Sequence, residues 1–234
     1  MGSKKFCVVS PGRCGSSAFM RALNAFDDIA SPCKNSQLLF SELLHPDFIE
    51  EAYSIYSALG DLNDRTPSKL IDCFYDVNSN FPFAGFKLLF CQSSGVSQLW
   101  FSRDIQFITL VRRDIASAMA SCMMASDTGD WNRQGGGHKR GWSYSSAREE
   151  ELKGRVEAHF KAVITLKSIP NTIVIYYEDI ARGGFVDASL REFFGRDVRL
   201  AEPKEPTSGE SYVRNWGEFR GLVDVFWREC FHAG

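Results

Sequence analysis

The chain has 234 residues, of which 44% are hydrophobic and 24% are charged. These proportions are typical of a globular protein and exclude an intrinsically disordered chain. With 27 Lys and Arg residues against 29 Asp and Glu residues, the formal net charge is −2. A nucleic-acid polymer is therefore not indicated as a partner, and any anion that binds must meet a local cluster of donors. The length favours a single domain over residues 1–234.

The cysteines and the lengths of the apolar runs indicate the cellular compartment to expect for the protein. Seven cysteines form no CxxC pair, and several lie inside apolar runs such as Phe6-Cys7-Val8-Val9. We expect reduced, buried thiols and no metal site, because ligand pairs at zinc-finger spacing are missing. The apolar stretches fall short of the roughly 18 residues of a membrane span, and the N-terminal one is too short for a signal sequence. The sequence thus predicts a soluble, cytoplasmic protein.

Short apolar runs alternate with helical patterns along the chain. Strands are predicted at residues 5–10, 85–90, 105–111 and 172–177. Helices are predicted at residues 16–26, 47–59, 93–101, 114–125, 146–168, 186–194 and 216–231. Because the strand runs are continuously apolar, they are typical of parallel strands buried on both faces. The alternation predicts an α/β fold, a P-loop-like parallel sheet flanked by helices.

Two further segments, 127–143 and 201–214, are rich in Gly or Pro and carry basic residues. Both are long enough to be binding loops, although an ordinary solvated loop explains either of them equally well.

The turn after the first strand has the composition of an anion-binding site. It reads Pro11-Gly12-Arg13-Cys14-Gly15-Ser16-Ser17 and leads directly into a helix. In open α/β sheets ligands bind beyond the carboxyl ends of the strands, where free helix N–H groups point at them. Arg13 adds a planar, permanently charged fork that suits phosphate or sulfate. The residues therefore predict a phosphate or sulfate site.

Other interpretations of this turn remain open from the residues alone. It lacks the lysine of the nucleotide-binding motif GxxxxGK(S/T). Cys7 and Arg13 stand five residues apart, as in a phosphatase loop, although Cys7 lies within the apolar run. Ser16 also fits an ordinary helix cap.

Several motifs, in the same order, resemble those of sulfotransferases that use 3′-phosphoadenosine 5′-phosphosulfate (PAPS). The first turn is similar to the family's P-(R/K)-S-G-(S/T)-(S/T), with one inserted Gly and Cys14 in place of Ser. The second signature, a strand ending in Arg and then a helix with Ser, is similar to residues 107–114 followed by Ser121. Bacterial carbohydrate sulfotransferases of the trehalose and nodulation-factor type are similar in three more stretches, namely Gly85-Phe86-Lys87-Leu88, Thr128-Gly129-Asp130-Trp131 and Tyr177-Glu178-Asp179-Ile180. The tail Tyr212-Val213-Arg214-Asn215-Trp216 resembles the family's closing cofactor loop.

The resemblance implies a PAPS site and assigns residues to it. The 5′-phosphosulfate is expected on the first turn, at Gly12, Arg13, Cys14, Gly15, Ser16 and Ser17. The 3′-phosphate is expected at Ser121 and at either Arg112 or Arg113, with Tyr177 and Arg214 also in contact with the cofactor. Glu178 and Asp179 are expected to have structural roles, capping a turn.

The resemblance also implies metal-independent sulfuryl transfer to a hydroxyl, in which an in-line attack passes through a loose transition state. Arg13 is expected to stabilise charge, and Glu42 to be the base, because residues 41–48 are similar to the family's G-E-L-F-x-P-x-F. His45 is the reserve base. The acceptor is expected to be a small molecule or glycan, with Trp131, His138 and Trp142 at its site. The alternatives are a P-loop-like nucleotide kinase or hydrolase, and a non-catalytic nucleotide-binding protein.

Overall fold

A parallel sheet forms the centre of the molecule. The structure is a computed structural model that describes residues 2–32, 42–60, 62, 64–129, 142–181, 187–199 and 209–232. Within them the strands are β1 (Lys4–Ser10), β2 (Ile29–Ala30), β3 (Phe83–Leu89), β4 (Ile105–Val111) and β5 (Thr172–Tyr176). They lie in the order β2-β3-β1-β4-β5, and every pairing is parallel. The predicted α/β class, a parallel sheet flanked by helices, is confirmed.

Helices connect the strands, as parallel pairing requires. They are α1 (Ser16–Asn24), α2 (Ile49–Leu59), α3 (Pro67–Val77), α4 (Ile115–Thr128), α5 (Glu149–Lys167), α6 (Tyr177–Ala181), α7 (Ala188–Phe194) and α8 (Trp216–His232). Asp114 caps α4 by accepting the Ser117 backbone N–H at 3.0 Å, so the chain turns sharply from β4 into this helix. Among the described residues, no helix combines the length and the apolarity needed to cross a membrane.

The core explains why the strand sequences are continuously apolar. Cys7 and Val9 on β1 pack into one cluster that includes Phe74 of α3, while Phe6 and Val8 pack into another that includes Phe19 of α1. Alternate residues of the strand therefore face opposite sides of the sheet, and both sides are covered. Because β3, β1 and β4 run in parallel, the segments that follow them meet at one edge of the sheet.

Two local predictions need correction, and two elements, strand β2 and helix α3, were not predicted. The helix predicted at residues 93–101 is wrong, because the chain there forms two 3₁₀ helices, Phe90–Gly95 and Ser97–Phe101. Tyr177 begins α6 rather than ending a strand. Helix α3 was not predicted, although Thr66 caps it and Pro67 opens it, a known start signal for a helix.

Candidate active site

The turn between β1 and α1 has an unusual backbone that glycine makes possible. Gly12, Arg13 and Gly15 have φ angles of 100°, 55° and 79°, in the left-handed region. A Cβ atom on Gly15 would come within 2.3 Å of the Tyr177 ring, so no larger residue fits against that ring. Ser10 also braces the turn, since its hydroxyl accepts the Gly12 N–H at 3.4 Å and donates to Ser16 at 3.2 Å. The turn thereby directs the first N–H groups of α1 toward the sheet edge.

Arg13 connects this turn to the second predicted motif. Its guanidinium donates to the Ser121 hydroxyl from Nε at 2.9 Å and from Nη2 at 2.7 Å. Ser121 lies on α4 and is buried. The structure thus brings together two residues that the sequence placed in separate anion-binding motifs.

Arg112 and Arg113 point in different directions, which bears on the open choice between them. Arg112 is buried, and its guanidinium lies 5.0 Å from the centre of the Tyr177 ring and 3.8 Å from Glu178. The Arg113 side chain is half-exposed and donates two hydrogen bonds to Asp179, at 2.6 and 2.7 Å. Arg112 is the arginine next to the first turn, because the Tyr177 ring lies against Arg112 and also against Gly15 of that turn.

Glu178 and Asp179 hold the backbone and the side chain that follow β4. The Glu178 carboxylate accepts the backbone N–H groups of Arg113 at 3.0 Å and of Asp114 at 3.1 Å. Asp179 neutralises Arg113 at the surface. Glu178 therefore bonds backbone N–H groups as a capping residue does, whereas Asp179 pairs with a side chain.

Glu42 belongs to a buried polar network that reaches the first turn. The Lys87 ammonium donates to Glu42 Oε1 at 2.5 Å and to the Ser17 hydroxyl at 2.8 Å, while Gln92 donates to Glu42 Oε2 at 2.7 Å. Glu42 is 4% exposed and Lys87 is 2% exposed. The predicted base is thus joined to the anion-binding turn through a single lysine.

The sequence interpretation gave no role to Lys87 or Gln92. A signal for Lys87 was present, because a lysine stands inside the apolar run 83–89, and a lysine is almost never fully buried without a partner. Gln92 gave no such signal, since its position depends on the 3₁₀ helix that replaces the predicted helix.

His45 lies beside Glu42 with its proton position fixed by the backbone. Its Nδ1 accepts the Asp47 N–H at 3.2 Å, and its Nε2 lies 3.9 Å from Glu42 Oε2. A neutral imidazole that accepts at Nδ1 carries its proton on Nε2. In this arrangement the Nε2 proton of His45 faces the Glu42 carboxylate, so the lone pair of the imidazole is directed at the backbone and not at Glu42.

A cavity of about 450 Å³ is lined by the three predicted catalytic residues and by part of the first turn. These lining residues are Gly12, Arg13, Ser16, Ser17, Glu42 and His45, and Lys87 lies among them. The lining also includes Leu89, Phe90, Met119 and one face of α5. The other predicted site residues, Cys14, Gly15, Arg112, Arg113, Ser121, Tyr177 and Arg214, are not part of the lining. Arg214 is exposed, and its backbone N–H donates to Trp142 at 2.8 Å.

The thiols nearest the turn face the core. Cys14 is fully buried, its Sγ donates to the Gly12 carbonyl at 3.1 Å, and burial raises its pKa to about 12. Only its backbone can therefore serve an anion at the turn. Cys7 is also fully buried, and burial raises its pKa above the ordinary range. Because a thiolate nucleophile needs access and a lowered pKa, the structure argues against the phosphatase-loop hypothesis.

Most of the two predicted loops, with Trp131 and His138, lies outside the described residues. Trp142 is described, and it packs rather than lining the cavity. Its Nε1 donates to Asp127 at 2.8 Å, and its ring meets Phe219 edge-on at 6.0 Å.

Comparisons with known proteins find similarity among solved structures. No protein-family model matches the chain, and no curated protein matches it. Among solved structures, the chain is similar to the sulfotransferase domain from the Synechococcus PCC 7002 olefin synthase. The two are 15% identical, the match covers 96% of this chain and 87% of that one, and the TM-score is 0.48.

Proposed function

We propose that the protein is a PAPS-dependent sulfotransferase that transfers a sulfuryl group to a hydroxyl of a carbohydrate or glycolipid. The observation that carries the proposal is the hydrogen-bonded path from Glu42 through Lys87 to Ser17, in the same cavity as Arg13. The path joins a carboxylate to a cationic turn, which supports the proposal because sulfuryl transfer to an alcohol needs a proton acceptor beside an anion site. The carbohydrate assignment rests on the sequence motifs.

The donor set suits the two anionic ends of PAPS. Arg13, the N–H groups at the start of α1 and the Ser16 and Ser17 hydroxyls would hold the 5′-phosphosulfate. Arg112 and Ser121 would hold the 3′-phosphate, with Tyr177 and Arg214 in further contact. We favour Arg112 over Arg113 because Arg113 is already bonded to Asp179 at the surface. Guanidinium, hydroxyl and backbone N–H groups together match phosphate and sulfate oxygens.

Each catalytic group has a defined task in this scheme. The Glu42 carboxylate takes the proton of the acceptor hydroxyl, whose oxygen forms the new bond to sulfur as the bond from sulfur to the phosphate oxygen breaks. Arg13 neutralises the charge that develops on the leaving phosphate. Lys87 pairs with the Glu42 carboxylate and aligns it with the turn. His45 orients Glu42 from the other side.

Adenosine 3′,5′-bisphosphate tests the proposal directly. We expect it to bind in the presence of EDTA and to raise thermal stability, by about 2.7 kcal/mol at 100 times its Kd. Transfer of label from PAPS to a panel of sugars would then establish the reaction. A melting temperature that does not change across millimolar bisphosphate would refute the proposal. Tighter binding of ATP with Mg²⁺ would instead support the nucleotide kinase or hydrolase.

A further inference from the structure

One face of α5 forms a wall of the cavity and has a composition of its own. Arg155, Ala158, His159 and Ala162 line the cavity at positions i, i+3, i+4 and i+7 of the helix. This spacing places them on one stripe. The two alanines leave space, while Arg155 and His159 add polar groups that none of the steps assigned above uses.

Arg155 is held in place by neighbours on two helices. Its Nε donates to Glu151 at 2.9 Å, Nη1 donates to Cys122 Sγ at 3.2 Å, and Nη2 donates to Ser126 at 3.2 Å. The side chain is 28% exposed. A guanidinium fixed in this way has lost most of its rotational freedom before any ligand arrives.

Arg155 is the member of a charged cluster that reaches the cavity. Its carboxylate partner Glu151 also pairs with Arg148 at 2.8 Å, and Arg148 pairs in turn with Asp127 at 2.6 Å. Two carboxylates thus face two guanidinium groups. Arg155 lines the cavity, whereas neither carboxylate does. A ligand at this wall therefore meets the guanidinium and not its carboxylate partners.

His159 contributes a polar group without charge. Its side chain is 6% exposed, and its Nε2 has no hydrogen-bond partner among the described residues. Burial, assisted by the positive charge of Arg112, lowers the pKa of His159 to about 4. The imidazole is therefore neutral at pH 7, and Arg155 is the charged group of the α5 stripe.

We propose that this α5 stripe is a subsite for an acceptor that carries a carboxylate as well as the hydroxyl to be sulfated. Arg155 would bind the carboxylate through its charge and an Nη1 N–H, and His159 would offer a neutral hydrogen bond beside it. Leu89, Phe90 and Met119 would pack against the body of the acceptor between the two ends. The inference rests on the proposed function and specifies its acceptor class as a hydroxy acid or an acidic sugar.

Two matched pairs of probes test the subsite. Methyl β-glucuronide has a carboxylate that methyl β-glucoside lacks. In the same way, 6-hydroxyhexanoate ends in a carboxylate and 1,6-hexanediol ends in a hydroxyl. Each would be titrated calorimetrically into the protein saturated with adenosine 3′,5′-bisphosphate. We expect the acidic member of at least one pair to bind tighter by about tenfold or more, as for hydrogen bonds to charged groups.

Variants assign that preference to Arg155. Arg155→Met should abolish the preference for the acidic probe and leave the Kd of the bisphosphate unchanged. Arg155→Lys should fold like the wild type and keep part of the preference. Arg148→Met is the matched control, because Arg148 shares Glu151 but does not line the cavity. It should keep the preference.

Three results would overturn the subsite. The first is that neither pair shows a preference for the acidic member. The second is that the preference survives in Arg155→Met. The third is that Arg155→Met binds the bisphosphate more weakly, which would place Arg155 in the donor site. Failure of the unaltered protein to bind the bisphosphate is a distinct outcome that overturns the proposed function itself.

Discussion

The guanidinium of Arg13 and the hydroxyl of Ser121 are joined by two hydrogen bonds, at 2.9 and 2.7 Å, across 108 positions of sequence. Through them the turn after β1 and the middle of α4 form one unit. Arg13 also lines the cavity, so in the proposed scheme a phosphate bound at Ser121 would lie next to the guanidinium that faces the transferred group. The two ends of the proposed donor site are therefore coupled through a contact within the protein.

The first prediction concerns the 3′-phosphate end of that unit. Arg112→Ala and Ser121→Ala should each weaken binding of adenosine 3′,5′-bisphosphate by about 1.5–3 kcal/mol, the range for a hydrogen bond to a charged group. Isothermal titration of the purified variants measures this loss. Arg113→Ala is the control, since its side chain is bonded to Asp179 at the surface. Wild-type affinity in both variants would show that the second anion site is misplaced.

The second prediction concerns the proton acceptor. Glu42→Gln should lower kcat by about 10²–10⁴-fold, the usual contribution of general-base catalysis, and should change the Kd of the bisphosphate little. Glutamine keeps the shape of the side chain and cannot take a proton at neutral pH. Labelled PAPS with saturating acceptor gives the rate. His45→Gln should cost much less, because His45 presents an N–H toward Glu42.

An undiminished rate in Glu42→Gln, together with a large loss in His45→Gln, would reverse these assignments. Glu42 would then be a structural partner of Lys87, and His45 the base.

The third prediction isolates Lys87. Lys87→Met removes the cation that faces a buried carboxylate, and breaking such a pair typically costs about 3–5 kcal/mol. Lys87→Met combined with Glu42→Gln should recover part of this stability, because no uncompensated charge remains. Urea unfolding of the wild type, both single variants and the double variant gives the coupling energy. Additive effects of the two substitutions would show that the pair is not energetically coupled.

The sequence predicts the sheet well and the site only in part, for a physical reason. Strand β4 has the predicted bounds, residues 105–111, because a continuous apolar run shows where a buried strand begins and ends. Local motifs predict Arg13 and Glu42 as site residues, and both line the cavity. The Lys87 bridge between Glu42 and Ser17 depends on three segments that are distant along the chain, and no local pattern encodes such a contact.

The choice between Arg112 and Arg113 shows the same limit at finer scale. The two residues are adjacent and chemically identical, so composition does not separate them. The structure separates them, because the chain leaves β4 with one side chain turned inward to Tyr177 and the other outward to Asp179. Asp179 and Tyr177 come from α6, more than sixty positions away.

The last prediction concerns stability at mildly acidic pH. Burial lowers the pKa of His159 from 6.5 to about 4. Between these values the unfolded chain binds a proton at this residue and the folded protein does not. Stability therefore falls as the pH drops from 6.5 toward 4, and the contribution of His159 is fully present above pH 6.5. The full difference amounts to about 3 kcal/mol at 1.36 kcal/mol per pH unit.

Urea unfolding at pH 7.5, 5.5 and 4.5 should show a shallower decline of stability in His159→Leu than in the wild type. Absolute stability at pH 7.5 serves as the reference for each protein, because Leu also changes packing against Trp227. Equal declines in the two proteins would mean that His159 is protonated in the folded state, and the neutral hydrogen-bonding role given to it in the α5 stripe would have to be abandoned.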